Sequence, residues 1–323
     1  MILVTGGAGY VGAHILLALV DQALPCIALD NLVTGTRSLV PPSVPFVHAD
    51  CADRAVVERL VRDNGVDLVI HCAGLISVTE SVQKPLAYYN ANVSAAVALT
   101  QAAVAGGARH LLFSSTATVY GEPTAPLLSE TLEPAPVNPY AASKAMVERM
   151  LLDADDAGEL SVGILRYFNV AGADPALRAG QISRASTHLV KIGAEAAVGK
   201  RDHVAVAGTD YPTPDGTGVR DYVHVSDLAD AHLAAVVALR RGARRLLLNV
   251  GYGRGTSVLE VLDAVDRACG RTVTRLVSPR RPGDVARLVA DTSRIREDLG
   301  WAPQFDSIDR IVADAIAWER TLS

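Results

Sequence analysis

Near its start the chain reads ILVTGGAGYVG at residues 2–12, an apolar run followed by a glycine-rich turn. The apolar run predicts a buried β-strand at residues 2–5, and residues 11–22 follow a helical pattern. A turn with such glycines lets backbone N–H groups approach a pyrophosphate, and the helix N-terminus adds partial positive charge. The three glycines that matter lie at three-residue spacing: Gly6, Gly9 and Gly12.

The alternation of strand and helix continues through the first two-thirds of the chain. We predict strands at residues 2–5, 26–29, 46–49, 68–71, 110–114 and 162–167. We predict helices at residues 11–22, 54–64, 88–105 and 140–153. Repeated strand–helix units give right-handed crossovers, and strands that are apolar on both faces belong in a sheet covered on both sides. The expected fold is therefore α/β, with a doubly wound, parallel, Rossmann-type sheet.

The pattern loosens after about residue 168, where loops rich in Gly, Pro and Asp separate shorter elements. A helix at residues 227–238 and a strand at 246–249 are expected to return to the sheet. We therefore predict an NAD-binding domain at residues 1–168, with return elements around 222–250. The remainder, 169–323, is expected to form a smaller α/β lobe that binds the substrate.

Composition excludes several classes of protein. The 323 residues are half hydrophobic and carry a net charge of −5, which disfavours nucleic-acid and anionic-membrane partners. No run of 18 uncharged apolar residues predicts a membrane span, and no leader pattern opens the chain, so we expect a cytoplasmic protein. Neither the histidines nor the four scattered cysteines have metal-ligand spacing, so we expect no metal site.

Two aspartates follow predicted strands. Asp30 closes the second strand, 18 residues after Gly12, where a carboxylate can accept hydrogen bonds from ribose hydroxyls. Because it would repel a 2′-phosphate, the sequence favours NAD over NADP. Asp50 ends the third strand; it either meets the adenine or caps the helix that starts near Asp53.

A second motif, NPYAASK at residues 138–144, carries candidate catalytic side chains. Asn138 is the expected helix cap, with Pro139 in the first turn. Tyr140 and Lys144 are four residues apart and share one helix face. A free tyrosine has a pKa of about 10, and a neighbouring ammonium together with a nicotinamide cation would lower it, which suits a general base.

Taken with the hydroxyl-rich strand end at 114–116, these motifs resemble extended short-chain dehydrogenase/reductases, and within them 4-epimerases of UDP-hexoses. The resemblance covers essentially the whole chain. It rests on TGGAGYVGAH (5–14), ALDNL (28–32), AGLISVTESVQKPLAYYNANV (73–93), FSSTATVYGE (113–122), PYAASK (139–144), LRYFNVAGA (165–173), DYPTPDGTGVRDYVHVSDLADAH (210–232) and PRRPGD (279–284).

The resemblance implies that NAD stays bound and that UDP-galactose and UDP-glucose are interconverted. Tyr140 takes the 4-hydroxyl proton with Thr116 bridging by hydrogen bonds, and the C4 hydride passes to the nicotinamide. The resulting 4-keto sugar rotates and receives the hydride on its other face. Lys144 lowers the pKa of Tyr140 and holds the nicotinamide ribose, while Ser115 supports the site.

The resemblance also implies two sets of ligand-binding residues. The NAD set is Gly6, Gly9, Tyr10, Val11, Gly12, Asp30, Asn31, Asp50, Cys51, Cys72, Ala73, Gly74, Asn92, Ser114, Tyr140, Lys144, Tyr167 and Phe168. The UDP-sugar set is Thr116, Tyr140, Asn169, His188, Leu189, Val204, Ala205, Val206, Arg220, Arg281, Asp284 and Leu288. Within the second set, Asn169 and the two arginines are expected to hold the diphosphate and Asp284 the uridine ribose, while Leu189 and residues 204–206 flank the uracil. Outside this set, Asp221 is expected to fix the Arg220 loop.

Some positions separate this chain from related enzymes. Ala117 and Thr118 stand where 4,6-dehydratases carry an Asp–Glu pair, so elimination of water lacks its acid and base. Ile76 and Ala91 replace a Lys and an Asn of many relatives, which predicts looser NAD retention. Leu288, intermediate in size, suggests some tolerance of N-acetylated sugars.

The alternatives are the same chemistry on another UDP-sugar (an N-acetylhexosamine, pentose or hexuronate) and a non-catalytic NAD-binding protein. The second would be expected to lose Tyr140 or Lys144, and both are present. A homodimer built from the helices at 88–105 and 140–153 is also expected.

Overall fold

The computed structural model describes residues 1–182, 186–281 and 284–322. Its strands are β1 (Ile2–Thr5), β2 (Cys26–Asp30), β3 (Phe46–His48), β4 (Leu68–His71), β5 (His110–Thr116), β6 (Ser161–Tyr167), β7 (Asn169–Ala171), β8 (Val204–Ala207), β9 (Val219–Arg220), β10 (Tyr222–His224), β11 (Arg245–Val250), β12 (Thr256–Ser257), β13 (Arg275–Ser278) and β14 (Arg287–Leu288). Its helices are α1 (Tyr10–Asp21), α2 (Arg54–Asp63), α3 (Val78–Gln83), α4 (Pro85–Tyr88), α5 (Ala95–Gly106), α6 (Pro139–Asp156), α7 (Leu189–Ala197), α8 (Val225–Arg240), α9 (Val258–Cys269), α10 (Ser293–Leu299) and α11 (Ile308–Thr321).

The central sheet is parallel throughout, with strand order β11-β6-β5-β4-β1-β2-β3. Its inner strands are buried on both faces, because alternate side chains enter different apolar clusters: Ile2 and Val4 pack against α1, and Leu3 packs with α2 and α5 residues on the other face. The predicted doubly wound sheet is confirmed, including the returning strand β11.

Side-chain caps explain where three helices begin. Asn138 accepts a hydrogen bond from Ala141 N at 2.9 Å, and Pro139 opens α6, as predicted. Ser257 and Glu260 form a reciprocal capping box at α9. The residue that caps α2 is Asp53, which accepts from Val56 N, so the interpretation of Asp50 as that cap was wrong.

The helix predicted at 88–105 is interrupted. A π-helical turn, Tyr89–Ser94, separates α4 from α5. Within it the buried Asn92 donates to Leu75 O at 3.0 Å and to Ser143 Oγ at 2.9 Å. Such turns are frequent at functional sites, and here the turn directs an amide towards the loop after β4.

The second half of the chain builds small sheets beside the carboxyl edge of the large one. They are β7–β10, β12–β9–β14 and β8–β13. Helix α8 packs on α1, and β11 then pairs with β6, so the two halves of the chain interleave. Across the described ranges, no helix is long and apolar enough to span a membrane.

Candidate active site

The predicted site residues converge on the carboxyl edge of the central sheet, because parallel strands all end there. β1, β4, β5 and β6 are adjacent and end at Thr5, His71, Thr116 and Tyr167. Ligands bind at this edge in open α/β sheets. The glycine turn, the hydroxyl-rich strand end and the start of the second lobe therefore lie around one crevice.

The glycine turn approaches its neighbours too closely for any side chain. A Cβ on Gly6, whose φ is +71°, would lie 2.6 Å from Ala73 N, and a Cβ on Gly12 would lie 2.1 Å from Gly6 O. Helix α1 starts at Gly9 without a side-chain cap. Its first-turn amides are thus free of a competing side chain, which is the arrangement that a pyrophosphate requires.

Asp30 stands at the end of β2, beside this turn. Its carboxylate accepts from Ala8 N at 3.0 Å and from Leu32 N at 2.8 Å. Asn31 donates to Asp50 at 3.0 Å, and Asp50 also accepts from Ala52 N. The turn, the fixed carboxylate and the uncapped helix fit a dinucleotide whose ribose meets Asp30.

The loop after β4 closes the crevice opposite α1. Asn92 holds this loop, since its Oδ1 also accepts from Leu75 N at 2.8 Å. A Cβ on Gly74 would lie 2.9 Å from the same oxygen. Asn92 therefore positions Ala73 and Gly74, while Cys51 is buried in the cluster beneath them and Ile76 is 60% exposed.

The predicted catalytic side chains come together in the middle of the edge. Tyr140 and Lys144 are buried on one face of α6, next to the end of β5. Lys144 Nζ donates to Ser114 O at 3.0 Å and lies 4.8 Å from the centre of the Phe113 ring. Thr116 Oγ1 lies 3.0 Å from Thr118 Oγ1. The hydroxyls and the ammonium thus face one reaction centre.

Burial controls the charges of this centre in the ligand-free chain. It raises the pKa of the Tyr140 hydroxyl to about 12, against a hydrogen bond with Thr116 that lowers it. Burial lowers the pKa of Lys144 to about 8, although Cys72 and Glu148 act to raise it. The pKa of Tyr140 therefore moves opposite to the direction expected for a base, because burial disfavours the charged phenolate.

Ser114 and Tyr167 belong to a buried hydrogen-bond chain. Their hydroxyls lie 2.6 Å apart, and the Ser114 hydroxyl is 3.1 Å from Cys72 Sγ. Tyr167 also bonds His232 Nε2, whose other ring nitrogen meets Leu228 O at 2.8 Å. Burial lowers the pKa of His232 to about 4, so the ring is neutral and its Nε2 accepts from Tyr167. This chain fixes the Tyr167 ring at the crevice floor.

Several residues predicted to bind the nucleotide sugar surround the outer part of the crevice. Asn169, His188 and Leu189 line one small cavity. Phe168 and Leu288 pack in one apolar cluster with Ala117. Ala117 directly follows Thr116 in the chain, so this apolar cluster adjoins the end of β5.

The residues predicted to bind the phosphates and the uracil differ in their exposure and in their hydrogen-bond partners. Arg220 forms an ion pair with Asp284 and donates to Val219 O at 2.9 Å, while Arg281 is exposed. The side chains of Val204 and Val206 are buried in the core, and Ala205 between them is exposed. Of these three predicted residues, Ala205 is therefore the one with an exposed side chain.

Asp221 behaves as expected for a residue that fixes the Arg220 loop. It is fully buried and accepts from Tyr252 N and Gly253 N, each at 2.8 Å, and from Ala290 N at 3.2 Å. Burial raises its pKa to about 6, opposed by these amide donors.

Sequence reasoning missed a buried polar cluster under the centre. Glu148 binds Arg166, and Tyr120 donates to Asn249 at 2.7 Å. Two signals were available: Glu148 continues the four-residue spacing of Tyr140 and Lys144, and Arg166 is an isolated charge in an apolar strand. In the described part of the chain, no group of three His, Cys, Asp or Glu side chains could hold a metal ion.

The chain is similar to known proteins over nearly its whole length. Residues 2–251 match the model of the NAD dependent epimerase/dehydratase family. A UDP-glucose 4-epimerase of Azospirillum brasilense is 50% identical over 321 residues, which cover 99% of this chain and 92% of that protein.

Solved structures of 4-epimerases are also similar to this chain in fold. A UDP-glucose 4-epimerase from Stenotrophomonas maltophila, crystallised with NAD and formylated UDP-arabinopyranose, has a TM-score of 0.96 and 38% identity, covering 99% of this chain and 98% of that one. The UDP-Glc/GlcNAc 4-epimerase of Campylobacter jejuni has a TM-score of 0.86 and 40% identity, with 99% of both chains covered.

Proposed function

The chain belongs to the NAD dependent epimerase/dehydratase family, and we propose that it interconverts UDP-galactose and UDP-glucose by transient oxidation at C4 of the sugar. The observation that carries this proposal is the cluster of Thr116, Tyr140 and Lys144 at the sheet edge, beside the glycine turn. Positions 117 and 118 carry no carboxylate, so the site is suited to epimerisation and not to elimination of water.

NAD, when bound, would supply the hydride acceptor and donor for C4 of the sugar. Glycine-turn amides and Asp30 are the groups that would hold its pyrophosphate and ribose. At the sugar, Tyr140 would accept the proton of the 4-hydroxyl as C4 becomes a ketone, and give it back as the alcohol reforms. Thr116, whose side chain acts to lower the pKa of Tyr140, would orient that hydroxyl, and the Lys144 ammonium would favour the phenolate.

The UDP moiety would be held by the lobe at 169–323. We assign its diphosphate to Asn169, Arg220 and Arg281, since a guanidinium can bond two phosphate oxygens at once. Asp284, which forms an ion pair with Arg220, would bind the uridine ribose beside this diphosphate site.

The experiment is incubation of the purified protein, without added NAD, with UDP-galactose, followed by chromatography of the nucleotide sugars. Formation of UDP-glucose supports the proposal and retained NAD. Turnover only after NAD is supplied would still support the proposed reaction. It would also indicate that the exposed Ile76 and the neighbouring Ala91 weaken the retention of NAD. No turnover with added NAD would refute the proposal.

Tolerance of N-acetylated sugars is a second candidate, favoured by the position of Leu288. Its side chain packs with Phe168 and Ala117 beside the reaction centre. We expect Leu288→Tyr to reduce the space beside the reaction centre. The variant should therefore lose any turnover of UDP-N-acetylgalactosamine while its turnover of UDP-galactose is preserved. If neither variant nor wild type accepts the N-acetylated sugar, this candidate fails.

A homodimer is proposed from exposed apolar side chains on neighbouring helices. Val82 on α3, Leu86 on α4 and Met146 on α6 are 63%, 80% and 50% exposed, and α3 and α4 both pack on α6. Leu86→Asp is expected to shift the mass measured by light scattering from dimer to monomer.

A cytoplasmic location suits the four free cysteines.

A further inference from the structure

A buried ion pair lies under the reaction centre and has no role in the chemistry described above. Arg166 bonds Glu148 through two nitrogens, with Nη2 2.6 Å from Oε2 and Nε 3.0 Å from Oε1. Both residues are 2% exposed. Burying two charges is costly, and replacing such a pair with apolar residues is often neutral or stabilising. Its presence therefore calls for a reason other than stability.

The pair is connected to the site through two elements. On α6, Glu148 lies one turn beyond Lys144, on the same face. On β5, Ser115 donates its hydroxyl to Glu148. In the β5–β6 register, Ser115 is opposite Arg166 and Thr116 is opposite Tyr167. Glu148 thus joins the helix that carries Tyr140 to the strand end that carries Thr116.

We propose that Glu148, held in place by Arg166, is a positioning residue for the reaction: its carboxylate keeps Lys144 in the ammonium form, and its bond with Ser115 fixes the strand end that presents Thr116. The inference rests on the proposed function, because it assigns a task to residues beneath that same centre.

The surroundings of Lys144 support the electrostatic part. Helix α6 contributes Tyr140 and Glu148, β4 contributes His71 and Cys72, and β5 contributes a ring and a carbonyl. Burial lowers the pKa of His71 to about 3 and raises that of the Cys72 thiol to about 11, so both are neutral at working pH. Cys72 raises the pKa of Lys144 only as a thiolate, so Glu148 is the carboxylate that acts on Lys144 against desolvation when the thiol is neutral.

The direct test is the titration of Lys144 in the purified protein. The chain has only four lysines, Lys84, Lys144, Lys191 and Lys200, so ¹³C-lysine labelling gives few NMR signals, and Lys144→Met identifies the relevant one. We expect Glu148→Gln to lower the midpoint of Lys144 by about half a pH unit or more. An unchanged midpoint would overturn the electrostatic part.

Kinetics give the second readout. In wild type, kcat for UDP-galactose is expected to fall as pH rises through the Lys144 midpoint. Glu148→Gln should move this alkaline limb to lower pH by the shift that NMR measures, with little change in KM. A uniform loss of kcat at all pH values, with an unmoved limb, would indicate a merely structural role and contradict the proposal.

Asp155→Asn is the matched control. Asp155 lies on the same helix, is 1% exposed and pairs with Arg245, but it is remote from Lys144 in sequence and in contacts. It should leave the midpoint and the alkaline limb unchanged. If it shifts them as much as Glu148→Gln does, the proposal fails.

Two further variants keep the proposal testable. If Glu148→Gln does not fold, Glu148→Gln combined with Arg166→Met removes both buried charges, and we expect a smaller lowering of the midpoint in the same direction. Ser115→Ala removes only the link to the strand, so it should reduce kcat without moving the midpoint; unchanged kcat would overturn the positioning part. A lowered midpoint in a protein without epimerase activity would refute the proposed function and still support the Glu148–Lys144 coupling.

Discussion

At the scale of single residues, the reaction depends on a tyrosine that the fold makes less acidic. Burial raises the pKa of Tyr140 to about 12 in the ligand-free chain. The phenolate form therefore needs positive charge nearby, and Lys144 on the same helix face and a bound nicotinamide are the two sources.

We expect Tyr140→Phe to lower kcat about 1,000-fold, since acid–base catalysis contributes about 10²–10⁴-fold. NAD content, measured after denaturation, should remain close to that of wild type. Tyr252→Phe, which removes a buried tyrosine hydroxyl bonded to Asp227, is the control and should keep kcat within about twofold. A Tyr140→Phe enzyme with nearly full activity would exclude Tyr140 as the base.

At the scale of elements, helix α6 sets the geometry of the centre. It carries Tyr140 and Lys144 within its first two turns, directly after a cap at Asn138 and a proline at Pro139. The helix start is therefore also the point from which the catalytic hydroxyl is oriented.

Asn138→Ala should cost about 1 kcal/mol of unfolding free energy, the usual value for a lost N-cap. Because the first turn frays where Tyr140 lies, kcat should fall as well. Asp53→Ala removes the cap of α2, which carries no predicted site residue, and should cost a similar free energy with unchanged kcat. Chemical denaturation and initial rates check both effects; equal kcat losses in the two variants would contradict the argument.

At the scale of the whole molecule, hydrogen bonds at the amino edge of the sheet, opposite the active site, link the two halves of the chain. Asp67 accepts from the Met1 amino group at 3.0 Å and from Arg240, at the end of α8, at 2.8 Å. Although burial acts in the opposite direction, these bonds lower the pKa of Asp67 to about 2.

A lowered pKa in the folded state stabilises the fold above the unfolded value, near 4, and this stabilisation is lost as pH falls towards 2. Asp67→Asn should therefore lower the melting temperature at pH 7, by an amount equivalent to about 1 kcal/mol for a partly exposed pair. The difference from wild type should shrink as the pH approaches 2. A constant difference between pH 7 and pH 2 would show that the carboxylate charge is not the cause.

Much of this molecule was predictable from local sequence. The central strands were found because burial on both faces makes each a continuous apolar run, as in ILVT at 2–5. Tyr140 and Lys144 were found because helical spacing alone puts them on one face. The π-helical turn around Asn92 was not found, because it depends on contacts with Leu75 and Ser143 elsewhere in the chain.

Other features could not be predicted because they arise from long-range packing. Arg220 and Asp284 are 64 residues apart and pair across two loops, and the direction of the Tyr140 pKa shift depends on how deeply the ring is buried. Val204 and Val206 were assigned to the uracil, but the strand turns both towards the core. Local patterns locate the elements, whereas the contacts among them set charge and orientation.

The central claim is that the hydrogen at C4 leaves the sugar and returns to the same carbon. The most direct measurement is conversion of UDP-galactose deuterated at C4 in ordinary water, with mass spectrometry of the UDP-glucose formed. We predict full retention of deuterium at C4, because the hydride held during oxidation is the one given back. Loss of deuterium to the solvent would contradict the account, since it would require proton exchange at C4 instead of hydride transfer.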